Sequence, residues 1–175
     1  MTQTTPLPKI EAAEDLGHKI GKLAAILEKP HFPGADRAAL KRWAPGQSPP
    51  LAFYRLWLRH LNTDLPPAHQ THAWMAVVWG IAFMGTGAHR PDRPFGKALA
   101  EAGYSEGRLE RLLAAPADLR LDLLTSAVRF LASKGEGFDW TEGALFLLTE
   151  DAEKRETLHR RLAADFYRAL PKGKE

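Results

Sequence analysis

Cysteine is absent from the 175-residue sequence, and several other signs of function are absent with it. Without cysteine there is no disulfide framework and no thiolate chemistry, which fits a reducing compartment. The longest apolar run, residues 73–84, is interrupted by Gly80 and falls well short of the roughly 20 residues that cross a bilayer. The N-terminus has neither the cationic start nor the apolar run of a signal peptide. We therefore expect a cytoplasmic protein without a membrane partner.

Signatures of enzyme chemistry are also scarce. No Gly-x-x-x-x-Gly-Lys loop is available to cradle a phosphate. His69 and His72 lie three residues apart and could share a helix face, but no nearby Cys, Asp or Glu completes the ligand set of a zinc site. We interpret both as polar residues near a helix start, and a helical enzyme that uses them stays open as an alternative. The sequence predicts no catalytic residue, no metal and no cofactor.

Acidic residues are absent from one long span, residues 37–63. Residues 136–156 show the opposite bias, with seven acids against two cations and a net charge of −5. The whole chain carries 24 − 21 = +3, so its positive charge is segregated rather than evenly spread. Such segregation favours an anionic partner, although any one cation can simply be solvated surface. The acid-free span has a formal charge of +5, contributed by Arg37, Lys41, Arg42, Arg55 and Arg59.

Apolar residues recur every three or four positions along most of the chain, which is the spacing of amphipathic helices. Residues 70–84 are apolar all round and predict a central helix covered by its neighbours. No run of period-two alternation is long enough for a sheet. We therefore predict an all-α protein.

Local signals indicate where individual helices begin. Asp36 is predicted to cap a short helix, and Pro116 is placed to open a long one. Asp139 and Glu142 have the spacing of a capping box. Residues 85–93 form a basic loop that contains glycine, and we expect this loop to be mobile.

Residues 95–115 resemble a helix-turn-helix motif. A helix, a turn containing glycine and a second helix with Arg108 and Arg111 follow one another, and a DNA-binding transcriptional regulator is therefore the alternative function. The second helix also commits Leu109 and Leu112 to a core, which favours a structural hairpin.

Cations also recur at outward positions of the later helices. Arginine and lysine on such faces can hold a nucleic-acid backbone without reading its sequence, with an affinity that falls as salt rises. Together with the five cations of the acid-free span, the candidate nucleic-acid-binding residues are Lys97, Arg108, Arg111, Arg129, Arg160, Arg161 and Arg168.

The order of several blocks resembles one protein family. A basic Ala-Leu-Lys-Arg helix precedes Ala-Phe-Tyr-Arg-Leu at 52–56, followed by a Trp-rich apolar helix and Phe-Gly-Lys-Ala-Leu-Ala at 95–100. Gly-Arg-Leu-x-Arg-Leu-Leu, Phe-Asp-Trp at 138–140 and Leu-Ala-Ala-Asp-Phe-Tyr at 162–167 complete the series. The series is similar to the CasB family, the small subunit of the type I-E CRISPR surveillance complex Cascade, over roughly residues 16–170. The chain departs from the family in residues 85–93 and lacks an aromatic-rich segment before its last helix.

The resemblance implies two small helical bundles packed into one elongated body, without catalytic activity. We place the division within the loop 85–93, giving an N-terminal bundle 1–88 and a C-terminal bundle 89–175. Implied partners are the backbone and large Cascade subunits, crRNA, target DNA and a second copy within the complex. The implied role is to hold crRNA-paired target DNA, the R-loop. The matching basic positions are Lys41, Arg42, Arg55, Lys97, Arg108, Arg111, Arg129, Arg160 and Arg161.

Overall fold

Helices form nearly all of the regular structure in the computed structural model, which describes the backbone of residues 8–172 and the side chains of residues 15–172. Within those residues the only β-type pairing is a single parallel bridge between His89 and Phe138. The prediction of an all-α protein is therefore confirmed. The helices are α1 (Pro8–Glu28), α2 (Gly34–Arg42), α3 (Leu51–Arg55), α4 (Thr71–Met84), α5 (Phe95–Glu101), α6 (Glu106–Leu113), α7 (Arg120–Ser133), α8 (Trp140–Leu148) and α9 (Ala152–Ala169).

Helix α4 is the centre of the fold. Every residue from Trp74 to Ala82 is buried, and α4 packs against α1, α2, α7 and α8. The predicted central helix is thus confirmed. Buried side chains from both sides of residues 88 and 89 belong to one continuous core. The division into two bundles at this point stays a prediction. None of the described helices is both long and apolar enough to cross a membrane.

Helix α3 continues into one π-helical turn, Leu56–His60. The amide of Leu61 donates to the carbonyl of Leu56 at 2.9 Å, five residues earlier. Phe53, Leu56 and Trp57 are buried, as the apolar spacing predicted. The π turn ends at His60, and Asn62, two residues later, has a positive φ of 51°.

Asp36 and Pro116 were expected at helix starts, and both predictions were wrong. Asp36 lies inside the first turn of α2, where it is 8% exposed and binds Arg55 rather than a backbone amide. Pro116 lies in a separate turn, in which the amide of Leu119 donates to its carbonyl at 3.0 Å, and α7 begins only at Arg120.

The expected capping box at the start of α8 is half correct. Asp139 is the cap and accepts a hydrogen bond from the amide of Thr141 at 3.0 Å. Glu142, however, does not return to the amide of Asp139. Its Oε2 accepts from the amide of Phe95 at 2.7 Å. Glu142 therefore caps a different helix, α5, whose own preceding residue is a proline without a side-chain acceptor.

The loop 85–93 is hydrogen-bonded to the segment before α8, and its expected mobility stays a prediction. The amide of Arg90 donates to the carbonyl of Phe138 at 2.9 Å, and the amide of Phe138 donates to the carbonyl of Ala88 at 3.1 Å. The Arg93 guanidinium is buried and binds Glu101, Glu136 and the carbonyl of Gly137. These contacts tie the loop to α5 and to the segment before α8.

Candidate nucleic-acid interface

Arg129 of α7 lies over a pair of stacked aromatic rings on α4. Its guanidinium carbon is 5.0 Å from the ring centre of Trp79 and 5.2 Å from that of Phe83. The Trp79 indole donates to the carbonyl of Lys41 at 3.2 Å, which fixes the end of α2 against the same rings. The ring contacts orient the exposed Arg129, and the hydrogen bond from Trp79 fixes the exposed Lys41 at the end of the neighbouring helix α2.

A second group of cations surrounds Phe130, the residue after Arg129. The guanidinium carbon of Arg108 is 5.6 Å from the Phe130 ring centre, and Lys134 Nζ is 5.7 Å from it. Burial raises the pKa of the nearby Tyr104 hydroxyl, and the charges of Arg108 and Arg111 act in the opposite direction. Arg111 lies three residues after Arg108 on α6, so it extends the same positively charged neighbourhood.

The two groups meet at the neighbouring residues Arg129 and Phe130 of α7. We call the cations of both groups the α7 basic surface: Lys41, Arg108, Arg111, Arg129 and Lys134. All five residues are exposed. Among the side chains that the structure describes, none of the five has a carboxylate within 4.0 Å. Their charge is therefore available to an outside anion, and the aromatic rings beneath reduce the conformational freedom that binding would cost.

Two predicted binding residues serve the fold instead. Arg37 donates to the carbonyls of Leu27 and Lys29, both at 2.9 Å, and so ties α2 to the end of α1. Arg55 forms a two-pronged pair with Asp36, at 2.7 and 3.2 Å. The hydrogen bond from Arg55 holds the pKa of the Asp36 carboxyl below its ordinary value.

The remaining predicted cations do not join the α7 basic surface. Lys97 lies 3.8 Å from Glu101, and Arg168 lies 3.8 Å from Asp165. Arg161 Nη2 is 3.5 Å from Glu142 Oε1. Arg160 lines a groove between α6 and α9 together with Glu106, Glu110 and Glu156. Arg42 and Arg59 are exposed, and no described ion pair or ring contact links them to the surface.

Sequence reasoning overlooked Lys134 and Arg93. Lys134 lies four residues after Phe130, and this helical i,i+4 spacing from an aromatic was the available signal. Arg93 had no such signal, because its partners lie 8 and 43 residues away along the chain. Its burial within an ion-pair network makes it a structural residue.

Residues 103–107 read Gly-Tyr-Ser-Glu-Gly, the spacing of a nucleophilic serine in α/β-hydrolases. That motif requires a strand before the serine, whereas here α5 precedes it. Ser105 Oγ instead accepts a hydrogen bond from the amide of Arg108 at 3.3 Å and caps α6. The hydroxyl is therefore used in helix capping.

The helices of the proposed helix-turn-helix, α5 and α6, are embedded to different degrees. Phe95, Gly96, Ala98, Leu99 and Ala100 of α5 are buried, and α5 packs closely on α9. Helix α6 buries Leu109 and Leu112, and its Glu106 and Glu110 line a groove against α9, so this helix does not protrude as a separate recognition helix. His69 and His72 are exposed, and no group of three metal-ligating side chains is found in the described part of the chain.

Ionisation of Glu142 gives a pH-dependent prediction. Burial raises the pKa of this carboxyl above its ordinary value of 4.5, against the hydrogen bond from Phe95 and the charge of Arg161; Asp139 and Asp165 also raise it. The folded state thus holds the proton longer than the unfolded state does. Stability from Glu142 is complete below pH 4.5 and declines as the pH rises through the raised pKa.

The test compares urea unfolding of the wild type and Glu142→Gln between about pH 4 and pH 7. Glutamine keeps the acceptor for Phe95 without ionising, so we expect the variant to gain stability relative to the wild type as the pH rises. Asp36→Asn should show the opposite trend, and at lower pH: the pKa of Asp36 is lowered from 3.8, so the wild type loses the stability from Asp36 as the pH falls below that value, and the variant does not. A pH-independent difference for Glu142→Gln would contradict the assignment.

Known proteins resemble this chain over most of its length. The family model of CRISPR-associated protein Cse2 matches residues 36–167. The crystal structure of CasB from Thermus thermophilus is similar, with 25% identity and a TM-score of 0.69 over 87% of this chain and 98% of that one. A Cse2-family CRISPR-associated protein from the same species, with 23% identity and a TM-score of 0.68 over 90% and 98%, shares the fold. Comparison with curated proteins finds no match. The family match over most of its length shows that the chain belongs to the Cse2 family, the CasB small subunits of the type I-E CRISPR complex Cascade, as its sequence predicted.

Proposed function

We propose that this Cascade subunit stabilises the opened target through contacts from its α7 basic surface to nucleic-acid backbone. The role is non-catalytic and independent of base sequence. In the assembled complex the subunit pairs with a second copy and contacts the backbone and large subunits, while crRNA and target DNA meet its cations.

The single observation that carries this proposal is the set of five exposed cations without a described carboxylate partner, three of them held over aromatic rings. Four of the other candidate cations are already paired with carboxylates within the fold: Arg55, Lys97, Arg161 and Arg168. A backbone-binding surface requires unpaired positive charge in fixed positions, which the α7 basic surface supplies.

Stabilisation of this kind is physically effective because R-loop formation is nearly balanced. The RNA–DNA hybrid is about as stable as the duplex that it replaces, so a few backbone contacts can decide the outcome. A rigid helical body is suited to this task because its arginines and lysines need little rearrangement on binding.

The experiment replaces four residues together, Lys41→Gln, Arg108→Gln, Arg129→Gln and Lys134→Gln, and measures target-DNA affinity of the assembled complex at several salt concentrations. Removing one phosphate contact reduces the steepness of log affinity against log salt by about 0.7–0.9. We therefore expect the steepness to fall by up to about 3, and the affinity to fall about a hundredfold or more near 0.1 M salt.

A matched control removes the same charge elsewhere, through Lys97→Gln, Arg160→Gln, Arg161→Gln and Arg168→Gln. Three of these side chains lie within 4.0 Å of a carboxylate, and Arg160 lines a groove that also contains three glutamates, so we expect target affinity to stay within a few-fold of the wild type. Equal losses from both variants would indicate a net-charge effect, and an unchanged salt dependence in the first variant would disprove the proposal. Sequence-specific duplex binding by the isolated chain would instead support a helix-turn-helix regulator.

A further inference from the structure

The face formed by α3 and its π turn exposes leucine beside positive charge. Leu51 is 70% exposed and Leu58 is 50% exposed. Seven residues apart along one helical stretch, they lie on roughly the same side. Arg59 follows directly and is also exposed, whereas the His60 ring packs against Phe32 with 5.2 Å between ring centres. We call Leu51, Leu58 and Arg59 the α3 face.

Single exposed leucines are ordinary on protein surfaces and require no explanation. Here two of them share one side of a short segment whose backbone is itself unusual. The backbone forms a π turn at Leu56–His60, and Asn62 just after it has a left-handed φ of 51°. Both features are uncommon, and π turns occur frequently at functional positions. An exposed apolar pair on such a segment is consistent with a contact surface.

Charge around the α3 face restricts what can cover it. No carboxylate occurs between residues 37 and 63, so the segment itself offers no internal partner for Arg59. Arg55, by contrast, is already committed to Asp36. The occupant that complements the face carries negative charge around an apolar contact.

A nucleic-acid backbone fits this face poorly. Phosphates would satisfy Arg59, but they would leave Leu51 and Leu58 against charged groups and water. Protein interfaces have an apolar centre with a polar rim, and the α3 face has that arrangement on a small scale. Its chemistry thus differs from that of the α7 basic surface, where the exposed groups are cations.

We infer that the α3 face is a docking surface for a different subunit of the complex, one that presents an apolar side chain flanked by carboxylates. This inference rests on the assembly stated in the proposed function and names the surface used for it, and it requires no nucleic-acid contact from α3. It reassigns Arg59 from nucleic-acid binding to protein binding.

The test combines Leu51→Ser with Leu58→Ser. The probe is the complex of the remaining Cascade subunits, purified together with crRNA. Binding of the variant chain to this probe, without target DNA, gives an apparent affinity. We expect it to be at least about tenfold weaker than for the wild type, with Arg59→Glu weakening it further. Both leucines are exposed, so the melting temperature of the isolated variant should match that of the wild type.

Leu119→Ser is the matched control, since Leu119 is 46% exposed in the turn before α7, away from the α3 face along the chain. It should leave assembly unchanged. Wild-type assembly by the double serine variant would overturn the inference. Normal assembly with weakened target binding would also overturn it, in favour of a nucleic-acid contact.

A third measurement identifies self-association. If the isolated wild-type chain dimerises in sedimentation and the double serine variant does not, the occupant is a second copy, and the inference of a different protein is wrong. The outcome remains distinct from failure of the proposed function, because the α7 variant with four glutamines tests target affinity in complexes that have already assembled.

Discussion

Replacing Gly96 with alanine is expected to lower the free energy of unfolding by about 3 kcal/mol or more. Gly96 lies in α5, where that helix meets α9. An added Cβ would overlap the carbonyl oxygen of Leu162 and lie 2.9 Å from the amide nitrogen of Phe166. Both neighbours are backbone atoms, which cannot rotate away as a side chain can. The two helices would have to separate, and the buried ring of Phe166 would pack less closely.

Urea unfolding of Gly96→Ala and Gly107→Ala measures this effect with its control. Gly107 is an exposed residue of α6, and a Cβ added there has no neighbour within 4 Å. Alanine at this position should stabilise the protein by about 0.5–1 kcal/mol, because helical glycine has the larger entropy cost. If the two variants unfold at the same urea concentration, the close approach of α5 and α9 is not as described.

Replacing Arg93 with methionine is expected to have the second largest effect, a loss of about 2 kcal/mol. The Arg93 side chain is 8% exposed and binds two glutamates and a backbone carbonyl. Glu101 and Glu136 are 41% and 32% exposed, so water compensates part of the lost interaction. We therefore expect a smaller loss of unfolding free energy than for a fully buried pair. The carbonyl of Gly137 would lose its donor as well.

Arg93→Lys separates charge from geometry. Lysine keeps the charge but cannot reach both glutamates and the carbonyl in the planar arrangement of a guanidinium, so we expect an intermediate loss. Adding Glu101→Gln and Glu136→Gln to Arg93→Met should recover part of the stability, because no unpaired carboxylate then remains. Wild-type stability of Arg93→Met by urea unfolding would show that the network contributes little.

The helices were largely predictable because their signals are local. Apolar spacing and the run from Trp74 to Ala82 predicted the buried centre, and Asp139 was correctly placed as a cap. These patterns depend on residues only a few positions apart, and tertiary packing agreed with them. Even the π turn left the predicted burial of Phe53 and Trp57 unchanged.

The pairing of charges could not be read from the sequence. Arg55 pairs with Asp36 at a separation of 19 residues, and Glu142 binds the amide of Phe95 at a separation of 47. Local rules assigned both acids to nearby amides, and the folded chain offered better-placed partners. Local spacing also made Arg37 and Arg129 look alike, although Arg37 donates to two backbone carbonyls at the end of α1 and Arg129 is exposed over the rings of α4.

The close packing of α5 on α9 has a consequence for how the protein is made. Helix α5 is synthesised well before α9, yet its amino-terminal cap comes from Glu142 and its packing partner includes Leu162 and Phe166. A nascent chain that has emerged only as far as α8 therefore leaves the Gly96 side of α5 without its cover. Such non-local pairing slows folding and leaves apolar surface temporarily open to other chains. The carboxyl-terminal half can complete its fold only once α9 has been synthesised.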